Sequence, residues 1–357
     1  MSPPGVVIRP DRESRPNNRN AANVPLVDAS DLSCLSKQAL RRVGVPPLHA
    51  DIQVELLMEA ELRGVPSHGL LRLERIVRRI ANGVADAHAT GRHSWRGDAF
   101  LFVDGERGLG PVVASRALDA LVERAATTGA AVAAVANANH LGMLGWYAER
   151  VAAQGFTAIV LSTSEALVHP WGAGRAMIGT NPIAIGVPTG GDPFMMDTAT
   201  SVVSMGEIHD HANRGAPIPG HWALDAQGRP TTDAEAAKAG AIAPFGQAKG
   251  YALGLAFELL VSSLAGAAIG RAVRGTLDDG EICNKGDVFI VVDGPVRDLQ
   301  EYLAEIRATP PAQGFREVLV PGERGRACRG QRLRDGVPFP DEVWTKLQMM
   351  AGIEAAA

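Results

Sequence analysis

The sequence of 357 residues contains little cysteine: Cys34, Cys283 and Cys328 lie far apart, and no pair has the C-x-x-C spacing. This pattern predicts neither a disulfide framework nor a cysteine metal site, and it is typical of the reducing cytoplasm. The sequence also lacks a basic excess, since its net charge is −4. A general nucleic-acid partner is therefore not expected, because phosphate recognition needs a positive field. The one arginine-rich stretch, residues 324–334, is expected to be a solvated surface segment.

Long apolar stretches are scarce, and only residues 251–270 are long enough to cross a bilayer. That stretch carries Glu258, and a carboxylate in the middle of a membrane is costly. We therefore expect a helix buried inside a larger soluble protein, and no membrane partner. The first 23 residues lack the apolar centre of a signal peptide and are expected to form a flexible tail.

What the sequence does contain is typical of a globular α/β protein: 46% apolar residues, 21% charged residues and 40 glycines. From residue 99 onward, short apolar runs alternate with helical patterns, which predicts β-α-β units and a mixed or parallel sheet. Helical patterns precede and follow this region. We expect a helical domain in two parts, residues 24–95 and 296–357, around an α/β domain at residues 96–295.

A dinucleotide-binding motif of the Rossmann type is not supported. Gly108 and Gly110 follow a predicted strand and open a helix, but Val113 stands where the third glycine is needed for helix–sheet packing. The next strand ends in Asn137, where the fingerprint places an acidic residue for the ribose. We therefore reject an ordinary Rossmann site.

Two histidines lie in glycine-flanked loops between predicted elements. His68 is in "PSHGLLR", and His140 is in "ANANHLG", where an apolar strand breaks just before a helix. Such loops are where α/β proteins expose reactive groups. The alternative, a pair of structural histidines, stays open for each residue taken alone.

Further polar residues are candidates for the same site. Asp197 ends an apolar run and could orient an imidazole and raise its pKa, or could equally cap the next helix. Lys249 precedes the long apolar helix and could bind a phosphate or carboxylate. Asn181 lies near a predicted turn. The segment "HDH" at residues 209–211 lacks a further ligand, so no metal site is expected.

Seven blocks, in order, resemble the malate/L-lactate dehydrogenase family that is unrelated to Rossmann dehydrogenases: "SHGLLRL", "NANHLG", "GTNPIAIGVP", "MMDTATSVV", "WALDAQGRPTTD", "KGYALGLAFELL" and "VPGER". The resemblance covers roughly Val24 to Ile353. Members of the family include L-sulfolactate and ureidoglycolate dehydrogenases, diketogulonate reductase and piperideine-2-carboxylate reductase. The resemblance implies a non-Rossmann mixed-sheet nicotinamide-binding domain, a helical domain built from both ends of the chain, and a homodimer.

The activity that the resemblance implies is hydride transfer between NAD or NADP and C2 of a small 2-hydroxy or 2-oxo acid. Reduction of cyclic 2-imino acids is the alternative within the family, and a catalytically inactive relative is the alternative outside it. A Schiff-base enzyme that uses Lys249 is a further possibility. The residues do not decide between NAD and NADP.

The resemblance also implies roles for individual residues. His68 or His140 is the acid/base, Asp197 orients it, and Arg72 lies near the substrate carboxylate or the cofactor. The positions matching the family's nicotinamide dinucleotide site are Ser67, Ser164, Asn181, Asp197, Thr198, Lys249, Gly250, Gly322 and Glu323.

Two departures from the family pattern bear on the site. Ile76 stands four residues after Arg72, where many members carry tyrosine, so we expect a narrower or less polar acyl pocket. Gln247 and Ala248 stand where glycine-rich spacing is usual, at the end of the site expected to hold the adenosine part of the cofactor.

Overall fold

The computed structural model of the chain describes residues 24–353, so the expected flexible tail at residues 1–23 lies outside the described residues. Short 3-10 turns cover Pro66–His68, Leu70–Arg72 and Gly270–Ala272. The described helices are α1 Ala29–Arg42, α2 Pro47–Leu62, α3 Leu73–Ala81, α4 Gly110–Thr128, α5 Leu144–Ala152, α6 Met205–Asn213, α7 Ala234–Lys238, α8 Ala248–Ala265, α9 Gln300–Ala308, α10 Glu323–Asp335 and α11 Asp341–Ala351. The described strands are β1 Leu26–Val27, β2 Arg92–Arg96, β3 Phe100–Asp104, β4 Ala130–Ala136, β5 Thr157–Ser162, β6 Ile183–Val187, β7 Phe194–Thr198, β8 Ala223–Leu224, β9 Ala241–Ile242, β10 Gly286–Val292 and β11 Val337–Pro338.

A seven-stranded mixed sheet forms the centre of the fold, in the order β2-β3-β4-β10-β5-β6-β7. Only β3 and β4 run parallel, joined by α4, and the other neighbours are antiparallel. The late strand β10 lies between β4 and β5, where Phe289 pairs with Ala133 on one side and Val160 on the other. The mixed α/β fold expected from the sequence is confirmed, whereas the insertion of β10 is not visible in local patterns.

Helices from both ends of the chain pack together beside the sheet. Strand β1 pairs with β11, with Leu26 opposite Pro338, and α1 packs against α2 and α11. Leu40, Leu57 and Leu347 belong to one buried cluster between these helices. Helix α2 also contributes Leu56 to the main core under α4 and α5. The apolar packing therefore joins the helical layer to the sheet at α2, which is the helix that leads into His68.

The arginine-rich stretch lies within helix α10, none of whose residues is buried, so the expectation of a surface segment is confirmed, but the ion pairs of its arginines were not predicted. Its arginines pair with carboxylates of α2 and α5: Arg326 lies 3.1 Å from Glu149, and Arg329 lies 3.0 Å from Glu59. Arg332 faces the buried Glu61. These partners lie more than 170 residues away in the sequence, so local composition does not reveal them.

Helix α8 is the one helix of the described chain that is long and apolar enough to cross a membrane by length and composition. Only a third of it is buried, so the expectation of a helix buried inside the protein was wrong. Its central carboxylate, Glu258, is buried and accepts hydrogen bonds from Gly179 N (3.0 Å), Asn181 Nδ2 (2.7 Å) and Gly270 N (2.6 Å). The opposite face exposes leucines at positions 253, 259, 260 and 264.

Candidate active site

The two loop histidines predicted from the sequence meet in space. His68 closes the 3-10 turn after α2, and His140 follows β4, and their ring centroids lie 5.6 Å apart with planes inclined by 30°. Ser67 Oγ lies 3.1 Å from His68 Nδ1. Both rings line one pocket together with Arg72, Arg75, Ile76 and Arg79.

Glycines shape the loop that carries His140. Gly142 has φ +77°, and a Cβ at this position would overlap the side chain of Leu56 on α2. A Cβ on Gly110 at the start of α4 would overlap the backbone carbonyl of His140. Gly110, one of the two glycines of the rejected Rossmann motif, therefore allows α4 to approach the histidine loop closely.

The amide of Asn139 fixes the same loop from the other side. Its Nδ2 donates to the carbonyls of Arg107 (2.6 Å) and Gly108 (3.0 Å), and its Oδ1 accepts from Arg79 Nε (2.9 Å). Gly142 N donates to His140 Nδ1 at 3.0 Å. Because Nδ1 accepts this hydrogen bond, neutral His140 carries its proton on Nε2.

Both imidazoles favour the neutral form. Burial, followed by the charge of Arg72, lowers the pKa of His68 to about 4. Burial and Arg72 also hold the pKa of His140 well below its usual value. The expectation that a carboxylate raises an imidazole pKa here was wrong, because burial and the charge of Arg72 both lower the pKa values of the two rings.

Asp197 contacts a helix end instead of an imidazole. At the end of β7, its Oδ2 accepts a hydrogen bond from Gly145 N at 2.7 Å, in the first turn of α5. It therefore caps α5, which precedes it in the chain, and not the following helix α6. Asp197 is exposed at the surface. The surrounding protein nevertheless displaces enough water to raise its pKa to about 6, although the hydrogen bonds from the amides of Gly145 and Leu144 lower the pKa.

The arginines supply the positive charge of the pocket. Arg72 Nε donates to Ser67 O at 2.7 Å, and burial followed by the charge of Arg75 lowers the Arg72 pKa to about 10. Among the described residues, no acidic side chain lines this pocket. Its wall is completed by Gln53, Leu56, Leu57, Ala85, Leu109, Asn139, Gly142, Gly275 and Thr276. Sequence reasoning missed Arg75 and Arg79, although their helical spacing from Arg72 was a signal.

Four of the nine positions expected to hold a dinucleotide lie on β7 or in the first turn of α8: Asp197, Thr198, Lys249 and Gly250. Ser164 Oγ accepts from Thr180 N at 3.0 Å, and Thr200 binds the carbonyl of Thr180 through its amide and hydroxyl, both at 2.8 Å. Phe245 N donates to Thr200 O at 3.1 Å, which brings the start of α8 to the same corner. Thr198 and Lys249 are exposed there.

The remaining positions have mainly structural contacts. Asn181 is fully buried, and its Nδ2 binds Glu258 and the carbonyl of Gly254. A Cβ on Gly250 would overlap the carbonyl of Phe245, so glycine closes the turn before α8. Gly322, at φ +94°, packs on the carbonyl of Met195 in β7. Glu323 accepts from Val320 N at 2.8 Å and pairs with Arg307.

The donors at this corner fit a phosphate-bearing ligand. Exposed Lys249, the hydroxyls of Ser164 and Thr198 and the free amides in the first turn of α8 are groups that bind anions. Gln247, just before the helix, has φ +59° and ψ −126°, a conformation that favours glycine. The departure from the glycine-rich pattern therefore leaves a strained residue beside this corner. Within residues 24–353, no group of three or more His, Cys, Asp or Glu side chains is placed to hold a metal ion.

A mixed sheet that gathers two neutral imidazoles and several guanidinium groups around one pocket defines an enzyme-type site for a small organic anion. The malate/L-lactate dehydrogenase family model matches residues 27–348. The chain belongs to the malate/L-lactate dehydrogenase family. The resemblance read from the sequence, and with it the expectation of an oxidoreductase, is confirmed.

Individual relatives match over nearly the whole chain. It is 34% identical to the L-sulfolactate dehydrogenase of Methanocaldococcus jannaschii, covering 87% of this chain and 91% of that protein. It is also 34% identical to the (2R)-3-sulfolactate dehydrogenase (NADP(+)) of Chromohalobacter salexigens, covering 91% and 98%. The crystal structure of a dehydrogenase from Sinorhizobium meliloti matches with a TM-score of 0.88 and 48% identity, over 92% of this chain and 98% of that chain.

Proposed function

We propose that this chain interconverts a small 2-oxo acid and the corresponding 2-hydroxy acid with NAD or NADP. The observation that carries the proposal is the stacked pair of neutral imidazoles, His68 and His140, beside Arg72 in one pocket. A guanidinium suits the carboxylate that every such acid carries at C1. The imidazoles suit the oxygen at C2, which gains a proton on reduction and loses one on oxidation.

The geometry supports different roles for the two histidines. His140 offers a fixed Nε2–H, which can donate a hydrogen bond to the substrate carbonyl oxygen and polarise it. His68, whose Nδ1 faces the rotatable hydroxyl of Ser67, carries the proton to or from that oxygen. Arg72 holds the C1 carboxylate. That negative charge offsets Arg72 and brings the His68 pKa closer to neutral in the complex.

The nicotinamide dinucleotide supplies or accepts the hydride at C2 when it is bound. Its phosphates would be held by Lys249, Ser164 and Thr198 at the corner before α8. Asp197 orients the first turn of α5, and thereby the segment that follows His140, through Gly145 N. Asn181 acts on the same corner indirectly, because it fixes α8 through Glu258.

A homodimer in the cytoplasm is part of the proposal. The exposed leucines on α8 form an apolar face, and such faces mark protein interfaces. Leu259→Arg is expected to shift the protein to monomers in size-exclusion chromatography with light scattering. Leu48→Arg, a control at another exposed leucine, is expected to leave the mass unchanged. A monomeric wild type would contradict the dimer.

The first experiment is a fluorescence titration of the purified protein with NADH and with NADPH, read by energy transfer from its five tryptophans. Saturable binding of at least one is expected, followed by its oxidation with oxaloacetate or pyruvate. Turnover of Δ1-piperideine-2-carboxylate instead would favour the imino acid reductase. Failure of a folded sample to bind either nucleotide would favour the inactive relative.

A further inference from the structure

Tyr147 is a buried tyrosine of α5 whose hydroxyl has no part in the proposed function. Its side chain is fully buried, and its hydroxyl donates a hydrogen bond to the carbonyl of Leu141 at 2.6 Å. Its ring meets the ring of Trp146 edge to face at a centroid distance of 4.9 Å, and that of Phe289 on β10 at 6.0 Å. These contacts hold the ring, and with it the direction of the hydroxyl.

The carbonyl that Tyr147 binds belongs to the peptide group that also binds His140. The C=O of Leu141 and the N–H of Gly142 form one planar unit. Its oxygen accepts from Tyr147, while its N–H donates to His140 Nδ1 at 3.0 Å. A rotation of this peptide group would break both hydrogen bonds. A chain of hydrogen bonds therefore runs from the phenol, through one peptide group, to the imidazole.

The phenol makes this peptide group a stronger donor to the imidazole. Hydrogen bonds in a chain polarise one another, so a donor on the carbonyl of Leu141 strengthens the bond from Gly142 N–H. Leu141 is 2% exposed, which gives water little access to that carbonyl. Burial, followed by the charge of Asp287, holds the pKa of Tyr147 well above its usual value, so the phenol keeps its proton and stays a donor.

We propose that Tyr147 is a positioning residue for the reaction, which holds the peptide group between Leu141 and Gly142 so that His140 keeps Nδ1 unprotonated and directs Nε2–H at the substrate. The inference rests on the proposed function, in which His140 polarises the oxygen at C2. Tyr147 does not line the pocket and acts only through the peptide group.

The first test is ¹⁵N NMR of protein labelled in histidine and glycine, with the His140 signals assigned by their loss in His140→Gln. The wild type is expected to show neutral His140 with its proton on Nε2 between pH 6 and 8, and a Gly142 amide protected from hydrogen exchange. A neutral His140 with its proton on Nδ1 would overturn the inference.

Tyr147→Phe removes the hydroxyl and keeps the ring. It is expected to move the Nδ1 resonance of His140 and to speed exchange of the Gly142 amide about fivefold to tenfold, the effect of one hydrogen bond. The Phe289 amide, on a strand with neighbours on both sides, measures any general loss of stability. Tyr302→Phe, at an exposed tyrosine, is the control and is expected to change none of these signals. Unchanged His140 and Gly142 signals in Tyr147→Phe would overturn the inference.

A second perturbation applies if Tyr147→Phe does not fold. Incorporation of 3-fluorotyrosine at all three tyrosines makes each phenol a better donor while it keeps the hydroxyl. The stronger bond to Leu141 is expected to move the Gly142 amide proton downfield, the direction opposite to that in Tyr147→Phe. No movement of this signal would contradict a link from the phenol to the imidazole.

Steady-state kinetics separate a positioning role from a structural one. His140 polarises the substrate oxygen mainly in the transition state, whereas Arg72 holds the carboxylate in both states. Tyr147→Phe is therefore expected to lower kcat about tenfold and to change KM by less than about twofold. If the NMR signals move but kcat stays within about twofold of the wild type, Tyr147 holds the loop without serving the reaction, and the inference is wrong.

The NMR measurements need no turnover, so they test Tyr147 separately from the proposed function. Moved His140 and Gly142 signals in a protein that binds no nucleotide and turns over no acid would sink the proposed function, and would still support the link from Tyr147 to His140. Turnover by the wild type, with the same NMR signals in Tyr147→Phe, would sink the inference alone.

Discussion

His68 and His140 stack with their ring centroids 5.6 Å apart, but only His140 has its protonation site fixed by the backbone. Gly142 N–H donates to His140 Nδ1, whereas His68 Nδ1 faces the hydroxyl of Ser67, which can donate or accept. Burial lowers the pKa of both rings, and that of His68 to about 4. One ring is therefore suited to donate a hydrogen bond and the other to exchange a proton.

The first prediction separates these two roles by the same substitution at each ring. His140→Gln places an amide N–H near the position of Nε2 and is expected to keep part of kcat. His68→Gln cannot exchange a proton and is expected to lose about 10²- to 10⁴-fold in kcat. Steady-state kinetics with the preferred acid measure both, and circular dichroism checks the fold. A larger loss of kcat in His140→Gln than in His68→Gln would assign the proton transfer to His140.

The second prediction concerns pH. Oxidation needs neutral His68 as the base, and a free-protein pKa of about 4 keeps it neutral at pH 6 to 8, so kcat/KM for oxidation is expected to be flat there. Reduction needs the protonated ring, so kcat/KM for reduction is expected to fall about tenfold per pH unit over the same range.

Burial raises the pKa of Asp197 to about 6, so this carboxyl group also titrates near this range. The pH profiles of Asp197→Asn therefore serve as the control, and the slope for reduction is expected to survive in that variant. If the pH slope for reduction disappears in Asp197→Asn but persists in His68→Gln, the proton transfer is assigned to Asp197 and not to His68.

Local sequence patterns predicted where the site residues lie along the chain, but not which distant residues they contact. The glycines and amides around His140 predicted a functional break between β4 and α5, and the structure places that loop against His68. The same signals did not predict the sign of the imidazole pKa shifts. That sign follows first from the burial of both rings and second from the charge of Arg72, and burial depends on contacts between distant segments.

Long-range pairing accounts for most of what the sequence did not predict. Strand β10 enters the sheet between β4 and β5, and the arginines of α10 meet carboxylates on α2 and α5. Both contacts join segments more than 100 residues apart in the sequence, and no local sequence pattern predicts either contact. Asp197 is a similar case, because a carboxylate after a strand has the same local sequence whether it caps the next helix or an earlier one.

The third prediction tests the close approach of Gly142 to Leu56. Gly142→Ala combines a positive φ with an overlap, and is expected to lower the free energy of unfolding by about 2–6 kcal/mol, the sum of backbone strain and overpacking. Gly155→Ala is the matched control, since Gly155 has φ +91° and nothing within 4 Å of a Cβ, so only the strain of about 1–3 kcal/mol applies. Urea unfolding measures both, and equal losses would show that Leu56 moves aside freely.

The fourth prediction concerns the ion pair of Lys285 and Asp287, whose side chains are each 1% exposed. Burial raises the pKa of Asp287 despite the opposing charge of Lys285, and Lys285 also contributes to the low pKa of His140. Lys285→Met leaves a buried carboxyl group without its partner and is expected to cost about 3–5 kcal/mol in the free energy of unfolding.

The double variant Lys285→Met/Asp287→Leu is expected to recover most of that loss, because a buried pair replaced by apolar side chains is often neutral or stabilising. Lys346→Met, which breaks the exposed pair with Glu342, is the control and is expected to cost at most about 1 kcal/mol. If Lys285→Met costs as little as Lys346→Met, the buried carboxyl group is protonated and needs no partner. A rise in the His140 pKa in the double variant, followed by NMR titration, would show directly that the charge of Lys285 reaches the histidine pair.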